Sequence, residues 1–173
     1  MVKLGNSWYN QESSRASFFI RNMMNLFAIS ALINGIFATF FGVIVDLRNR
    51  KSRVHQTFGL IQMAIALWRY RYFFWQLSNV EILALLWTRI LAIFATFIPI
   101  FYFHWVLSML GKNKSKKALL FTGYAITTVF ALIGFTPYYV TSVSSKLGFQ
   151  YWPNGGVFYF SHIILLFIGL MSL

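Results

Sequence analysis

Met23 to Val45 reads MMNLFAISALINGIFATFFGVIV, a run without one charged side chain. As a helix it is long enough to cross a hydrocarbon core of ~30 Å. It closes on Asp46-Leu47-Arg48-Asn49-Arg50-Lys51-Ser52-Arg53, a strongly basic stop. Within the run, Ala31, Gly35, Ala38 and Gly42 follow i, i+4, i+7, i+11 spacing. Small side chains on one stripe let a second helix approach closely, so the stripe is expected to be a packing seam.

The rest of the chain agrees with a bilayer as solvent. Of 173 residues, 58% are hydrophobic and only 10% charged, against about 25% charged in ordinary soluble domains. So little polar side chain cannot cover a water-facing surface of this size. Disorder is excluded for the same reason, since the apolar surface must be buried somewhere. The absence of cysteine removes disulfides, thiolate nucleophiles and Cys-ligated metals. The net charge of +12 sets fifteen Lys and Arg against Glu12, Asp46 and Glu81. Because the basic residues adjoin apolar runs, they are expected to face lipid headgroups, not nucleic acid.

Five apolar spans are expected, at about 23–45, 57–77, 82–110, 118–136 and 157–173, preceded by a polar or amphipathic tail over 1–22. The fold class is therefore an all-α polytopic transmembrane helix bundle. The loops after spans one and three hold Arg48, Arg50, Lys51, Arg53 and Lys112, Lys114, Lys116, Lys117. Heavy basic loops belong in the cytoplasm, which puts the N-terminus outside, against the contrary pull of Lys3, Arg15 and Arg21. Span one is too long and starts too late for a cleaved signal peptide. Span five ends without the basic cap of spans one and three, so the chain reads as truncated.

Arg69 and Arg71 lie inside span two. Ending that helix before Arg69 leaves ~18 Å, too short to cross. The pair either snorkels within the belt Trp68, Tyr70, Tyr72, Phe73, Phe74 and Trp75, or one member faces the bundle as a binding charge. Glu81 is a candidate partner near the same end. Arg89 stands two turns beyond Glu81, ~12 Å along the helix, and has the same two readings. His104 sits among aromatics, where a hydrogen-bonded packing role is the ordinary one. His55, His104 and His162 have no metal-site spacing. With three acids in the chain, acid–base catalysis lacks candidates, so no enzyme activity, cofactor or metal is expected.

Pro99 is expected to kink span three. The connection Pro137 to Gly156 contains Tyr138 to Val143, of strand-like composition, and Lys146 to Trp152, which could return as a second strand. Together with Arg69, Arg71, Arg89 and Glu81, its Tyr151 and Trp152 are candidate ligand-binding residues. Such a cap could also rest on the helix ends as a lid.

Several of these pieces, in this order, resemble the N-terminal seven-transmembrane region of bacterial sensor histidine kinases. They are Arg48-Asn49-Arg50-Lys51-Ser52-Arg53, Ala66-Leu67-Trp68, Trp87-Thr88-Arg89, Pro99 with Phe103-His104-Trp105-Val106-Leu107, and Leu147-Gly148-Phe149-Gln150-Tyr151-Trp152-Pro153. The resemblance covers roughly 24 to 173 and implies a membrane-embedded, homodimeric signal-sensing input region for an unidentified small ligand or membrane state. It implies a response regulator only through kinase domains that this chain lacks, and two spans more than are present. The rival expectation is a transporter or channel component, with Arg69, Arg71, Arg89 and His104 along a substrate or proton path.

Overall fold

The structure is a computed structural model that describes residues 3–146 and 149–159, with side chains described for Arg15 and from Leu26 onward. Helix α1 (Lys3–Arg48) is followed by α2 (Arg53–Gln76), α3 (Glu81–Met109) and α4 (Lys117–Ile133). Strands β1 (Val140–Lys146) and β2 (Phe149–Gly155) then pair antiparallel.

Each helix packs on its neighbour in the chain, antiparallel, so the four form a meander. Between α1 and α2, Ala31, Gly35, Ala38 and Gly42 are all buried. At Gly35 a β-carbon would lie 2.7 Å from the Tyr70 ring, and at Gly42 it would lie 2.8 Å from Gln62 Cβ. Only hydrogen fits there, so the two backbones approach closely. Thr39 Oγ1 and Tyr70 Oη close the seam with a 2.8 Å hydrogen bond. Between α2 and α3, Phe74 stacks on Trp87 at 5.3 Å and Phe58 meets Trp105 at 5.8 Å. Between α3 and α4, Ile100 fills the space over Gly123, and His104 Nδ1 bonds Tyr124 Oη at 2.8 Å.

Helix α3 buries a second small-residue stripe, Ala84, Thr88, Ala92 and Thr96, with Ile100 at its end. The two threonine hydroxyls donate to the carbonyls of Ala84 and Ala92, both at 2.8 Å, so neither is orphaned in an apolar setting. Pro99 lies inside α3 and removes the donor that would reach the carbonyl of Ala95, yet the helix continues to Met109. Its end is a Schellman turn. Gly111 takes φ +66°, Gly111 N–H donates to Ser108 O at 3.2 Å and Lys112 N–H to Leu107 O at 2.9 Å.

This architecture corrects the expected all-α five-span bundle. Among the described residues, two helical segments are long and apolar enough to cross a membrane, Leu26–Arg48 and Glu81–Met109. Helix α2 has the length, but Arg53, His55, Gln56, Gln62, Arg69, Arg71 and Gln76 dilute its apolar character. Helix α4 has 17 residues, ~26 Å of rise, short of the ~30 Å core. The connection after it is a two-stranded sheet, so the fold is not all-α. The expected span 157–173 lies outside the described residues beyond Tyr159, as does His162. Helix α1 begins at Lys3, within the stretch expected to be a separate tail.

The two long apolar segments are not interior helices of a water-soluble core. Only 28% of the first apolar window and 22% of the second are buried. Ile33, Ile36, Phe37, Phe40 and Phe41 of α1 all point outward. An apolar outer face of that extent suits lipid.

Candidate functional site at the hairpin-covered end

The hairpin β1–β2 lies over the C-terminal end of α2 and the N-terminal end of α3. Its apolar underside supplies Val143, buried with Trp75 and Ala84, and Val140, buried with Ala92 and Tyr139. Around Trp75 the rings of Phe149 (5.8 Å), Trp152 (6.2 Å) and Tyr72 (5.3 Å) close a cluster, and Phe27 of α1 reaches Phe149 at 6.2 Å. Such ring pairs stabilise by about 0.5–1.5 kcal/mol each beyond their area burial.

Three polar links fix the hairpin to the helices. Trp75 Nε1–H donates to Tyr151 O at 2.9 Å, and Tyr151 Oη donates to Asn79 O at 3.1 Å. On the other strand, Arg89 Nη2 donates to Val140 O at 3.1 Å. The Trp75 and Arg89 links end on strand carbonyls and hold strand position whatever side chains Tyr151 and Val140 carry, whereas the Asn79 link needs the Tyr151 phenol itself. At the hairpin base, Gly156 N–H donates to Tyr139 O at 2.8 Å, and a β-carbon on Gly156 would collide with the carbonyl oxygen of Tyr138. Burial, reinforced by neighbouring Tyr159, pushes the Tyr139 phenol up, so it stays neutral under the hairpin. On the outer face, Asn154 gathers Lys146 Nζ (2.7 Å), Ser144 Oγ (3.2 Å) and Ser142 Oγ (2.9 Å).

The candidate binding residues do not converge on one spot. Arg71 lies over the Trp87 ring at 4.6 Å, clamping α2 to α3, whereas Arg69 lies over its own neighbour Trp68 at 4.5 Å. Two positions apart on a helix is roughly 200° of rotation, so the pair diverges. Glu81 is exposed in the first turn of α3, where a carboxylate complements the helix dipole, and no ion pair joins it to these arginines among the described residues. Tyr151 and Trp152 are half-buried beneath or beside the hairpin links. Arg89 alone combines a backbone contact to the hairpin with unused capacity. Among the described residues its Nε is buried without a partner, although a guanidinium offers five donors.

The space under the hairpin is small. Between α2 and β2 a cavity of ≈ 10 Å³ is bounded by Trp75, Gln76, Ser78, Phe149 and Tyr151. That holds about one water, whereas small-molecule pockets run to about 300 Å³ or more. The Gln76 amide has both polar atoms buried without a partner among the described residues. This cavity admits nothing larger than a water. No group of three or more His, Asp or Glu side chains is placed to hold a metal among the described residues.

The Arg89–Val140 link and the Tyr151–Asn79 link were not foreseen from sequence, because each depends on where the hairpin folds back. The available signal was an arginine inside an apolar helix, which needs a partner somewhere. No family model matches this chain, and no curated protein or solved structure matches it either.

Proposed function

We propose that this chain is a multi-pass protein of the bacterial plasma membrane and serves as a signal-sensing input region, working as a homodimer. The observation that carries the reading is the state of Arg89: one donor holds the carbonyl of Val140, while its Nε is buried and, among the described residues, unpartnered. A small amphipathic anion would compete with that carbonyl for the guanidinium and lay its apolar part on the Tyr139 and Tyr159 rings packed beside Val140. Hydrogen bonds to charged groups contribute about 1.5–3 kcal/mol. Release of the hairpin also gives up the Trp75–Tyr151 and Tyr151–Asn79 bonds and the burial of Val140 and Val143, so the released state is a minor one. A ligand preferring the released state then shifts the balance, and α3 carries the shift to the basic loop beyond Met109. The output of the histidine kinase type, acting on a response regulator through domains beyond this chain, rests on the resemblance of the motifs from Arg48 to Pro153.

The test uses benzoate, a carboxylate on an apolar ring, with the chain in lipid nanodiscs and saturation-transfer NMR. Saturable transfer that Arg89→Gln weakens at least tenfold supports the reading. Transfer that is absent, or identical in Arg89→Gln, rejects it. The rival transporter reading draws on the His104–Tyr124 hydrogen bond between α3 and α4. It gains ground if His104→Phe abolishes a solute flux into vesicles and benzoate shows no transfer.

A further inference from the structure

The opposite end of the α1–α2 seam holds a second feature. An open groove of ≈ 360 Å³ runs along the two helices toward the basic loops. Its floor is glycine: Gly42 and Gly59 face each other, and a β-carbon at Gly59 would lie 3.6 Å from Gly42 O and 3.4 Å from Asp46 Cβ. Its walls are Val43, Leu60 and Met63, all exposed on the outer face of the helix pair. Thr39 closes the end nearer mid-span, with its hydroxyl already bonded to Tyr70, while Asp46 and Gln56 stand at the basic end. From Thr39 to Asp46 the groove runs about 10 Å along the helix.

The charge pattern at its mouth is specific. Asp46 is half-buried in the groove, and exposed Arg48, Arg50, Lys51 and Arg53 surround the same end. Gln56 Nε2 donates to Arg50 O at 2.6 Å and so ties that loop to the start of α2. A carboxylate at headgroup depth repels a purely anionic lipid but suits an ammonium, while the arginines beside it suit a phosphate. We propose that this groove seats one phosphatidylethanolamine molecule. An acyl chain lies between Val43, Leu60 and Met63, the ammonium donates to Asp46, and long arginine side chains reach the phosphate. Ethanolamine fits where choline does not, because a trimethylated nitrogen has no N–H to donate and is wider.

This inference rests on the membrane reading above, and the experiment separates the two. Membranes containing the chain are first washed at alkaline pH; release into the wash defeats the membrane reading itself. The retained protein is purified in mild detergent, mixed with equal dioleoyl phosphatidylethanolamine, phosphatidylcholine and phosphatidylglycerol, and read by native mass spectrometry. The expected result is about fivefold more bound ethanolamine lipid than choline lipid, the scale of a partly exposed charge pair. Asp46→Asn, which keeps the shape, should erase that preference, and Leu60→Trp, which fills the mouth and keeps the charge, should lower retention of all three. Equal retention of ethanolamine and choline lipids, a preference surviving Asp46→Asn, or phosphatidylglycerol as the preferred lipid would each overturn the proposal. Efficient disulfide cross-linking of two Val43→Cys chains would also overturn it, by putting a second copy in the groove.

Discussion

Arg89 and Val140 lie 51 positions apart in the chain and meet through a 3.1 Å hydrogen bond from guanidinium to backbone carbonyl. Val140 has no exposed surface, so the carbonyl is satisfied by the helix and not by water. Leaving a buried acceptor unpaired costs about 1–3 kcal/mol. Arg89→Leu should therefore loosen the hairpin by that amount while the helices hold. Hydrogen exchange in nanodiscs checks it: amides of 140–155 should lose protection, and those of α3 beyond Thr96 should not. Equal loss in both would mean that Arg89 supports the whole fold.

Trp75 contributes both its ring and its N–H to the same cap. Trp75→Phe keeps a ring against Phe149 and Trp152 but strands the carbonyl of Tyr151. A destabilisation of about 2–4 kcal/mol is expected, the lost hydrogen bond adding to the smaller ring. Trypsin cleavage at Lys146, followed over time, reads it directly. Cleavage as slow as in the parent would show that the indole N–H does not hold the hairpin.

Gly35 lies under the Tyr70 ring, where an added methyl would stand 2.7 Å from Cε1. Gly35→Ala should cost about 1–3 kcal/mol by forcing the helices apart. Tyr70→Leu costs the Thr39 hydrogen bond and also vacates the ring's space. In the double variant the two losses should sum to less than their separate values, a coupling visible in a thermal double-mutant cycle in detergent. Strict additivity would place Gly35 away from Tyr70.

Gly111 gives the complementary case, with nothing within 4 Å of the missing β-carbon but a φ of +66°. Substitution there costs backbone strain alone. Gly111→Ala should cost about 1 kcal/mol and Gly111→Asn less, since asparagine tolerates the left-handed region. Melting temperatures of the two variants decide it, and a larger loss with asparagine would contradict the Schellman assignment.

The small-residue stripe of α1 could be read at the sequence level because helical spacing alone puts Ala31, Gly35, Ala38 and Gly42 on one side. Its partner, α2, could not be named in that way, since Tyr70 and Gln62 carry no mark of the glycines they cover. The number of spans was overestimated for a physical reason. Apolar runs in α2 and α4 look like crossings, yet polar residues in one and 17 residues in the other fall short of the requirement. Strand-forming residues were visible between Tyr138 and Trp152. Counting that segment as a loop on an all-α fold missed that an irregularity in β1 between Val140 and Ser142 turns both Val140 and Val143 inward, where they build a core with Ala84 and Ala92. The embedded arginines were recognisable as residues in need of partners. Arg69 took the face of its own neighbour Trp68, but the partners of Arg71 and Arg89, the Trp87 face and the Val140 carbonyl, lie on other elements and depend on how the chain folds back.

We propose that Leu26–Arg48 and Glu81–Met109 cross a bacterial plasma membrane, with the hairpin-covered end outside and the basic loops inside. The chain has no cysteine, so single exposed positions can be labelled in an otherwise unaltered background. Ser145 in β1 and Lys114 between α3 and α4 are both exposed. In intact cells, a membrane-impermeant maleimide should label Ser145→Cys and leave Lys114→Cys untouched until the cells are permeabilised. Labelling of Lys114→Cys from outside, alone or together with Ser145→Cys, would contradict the account.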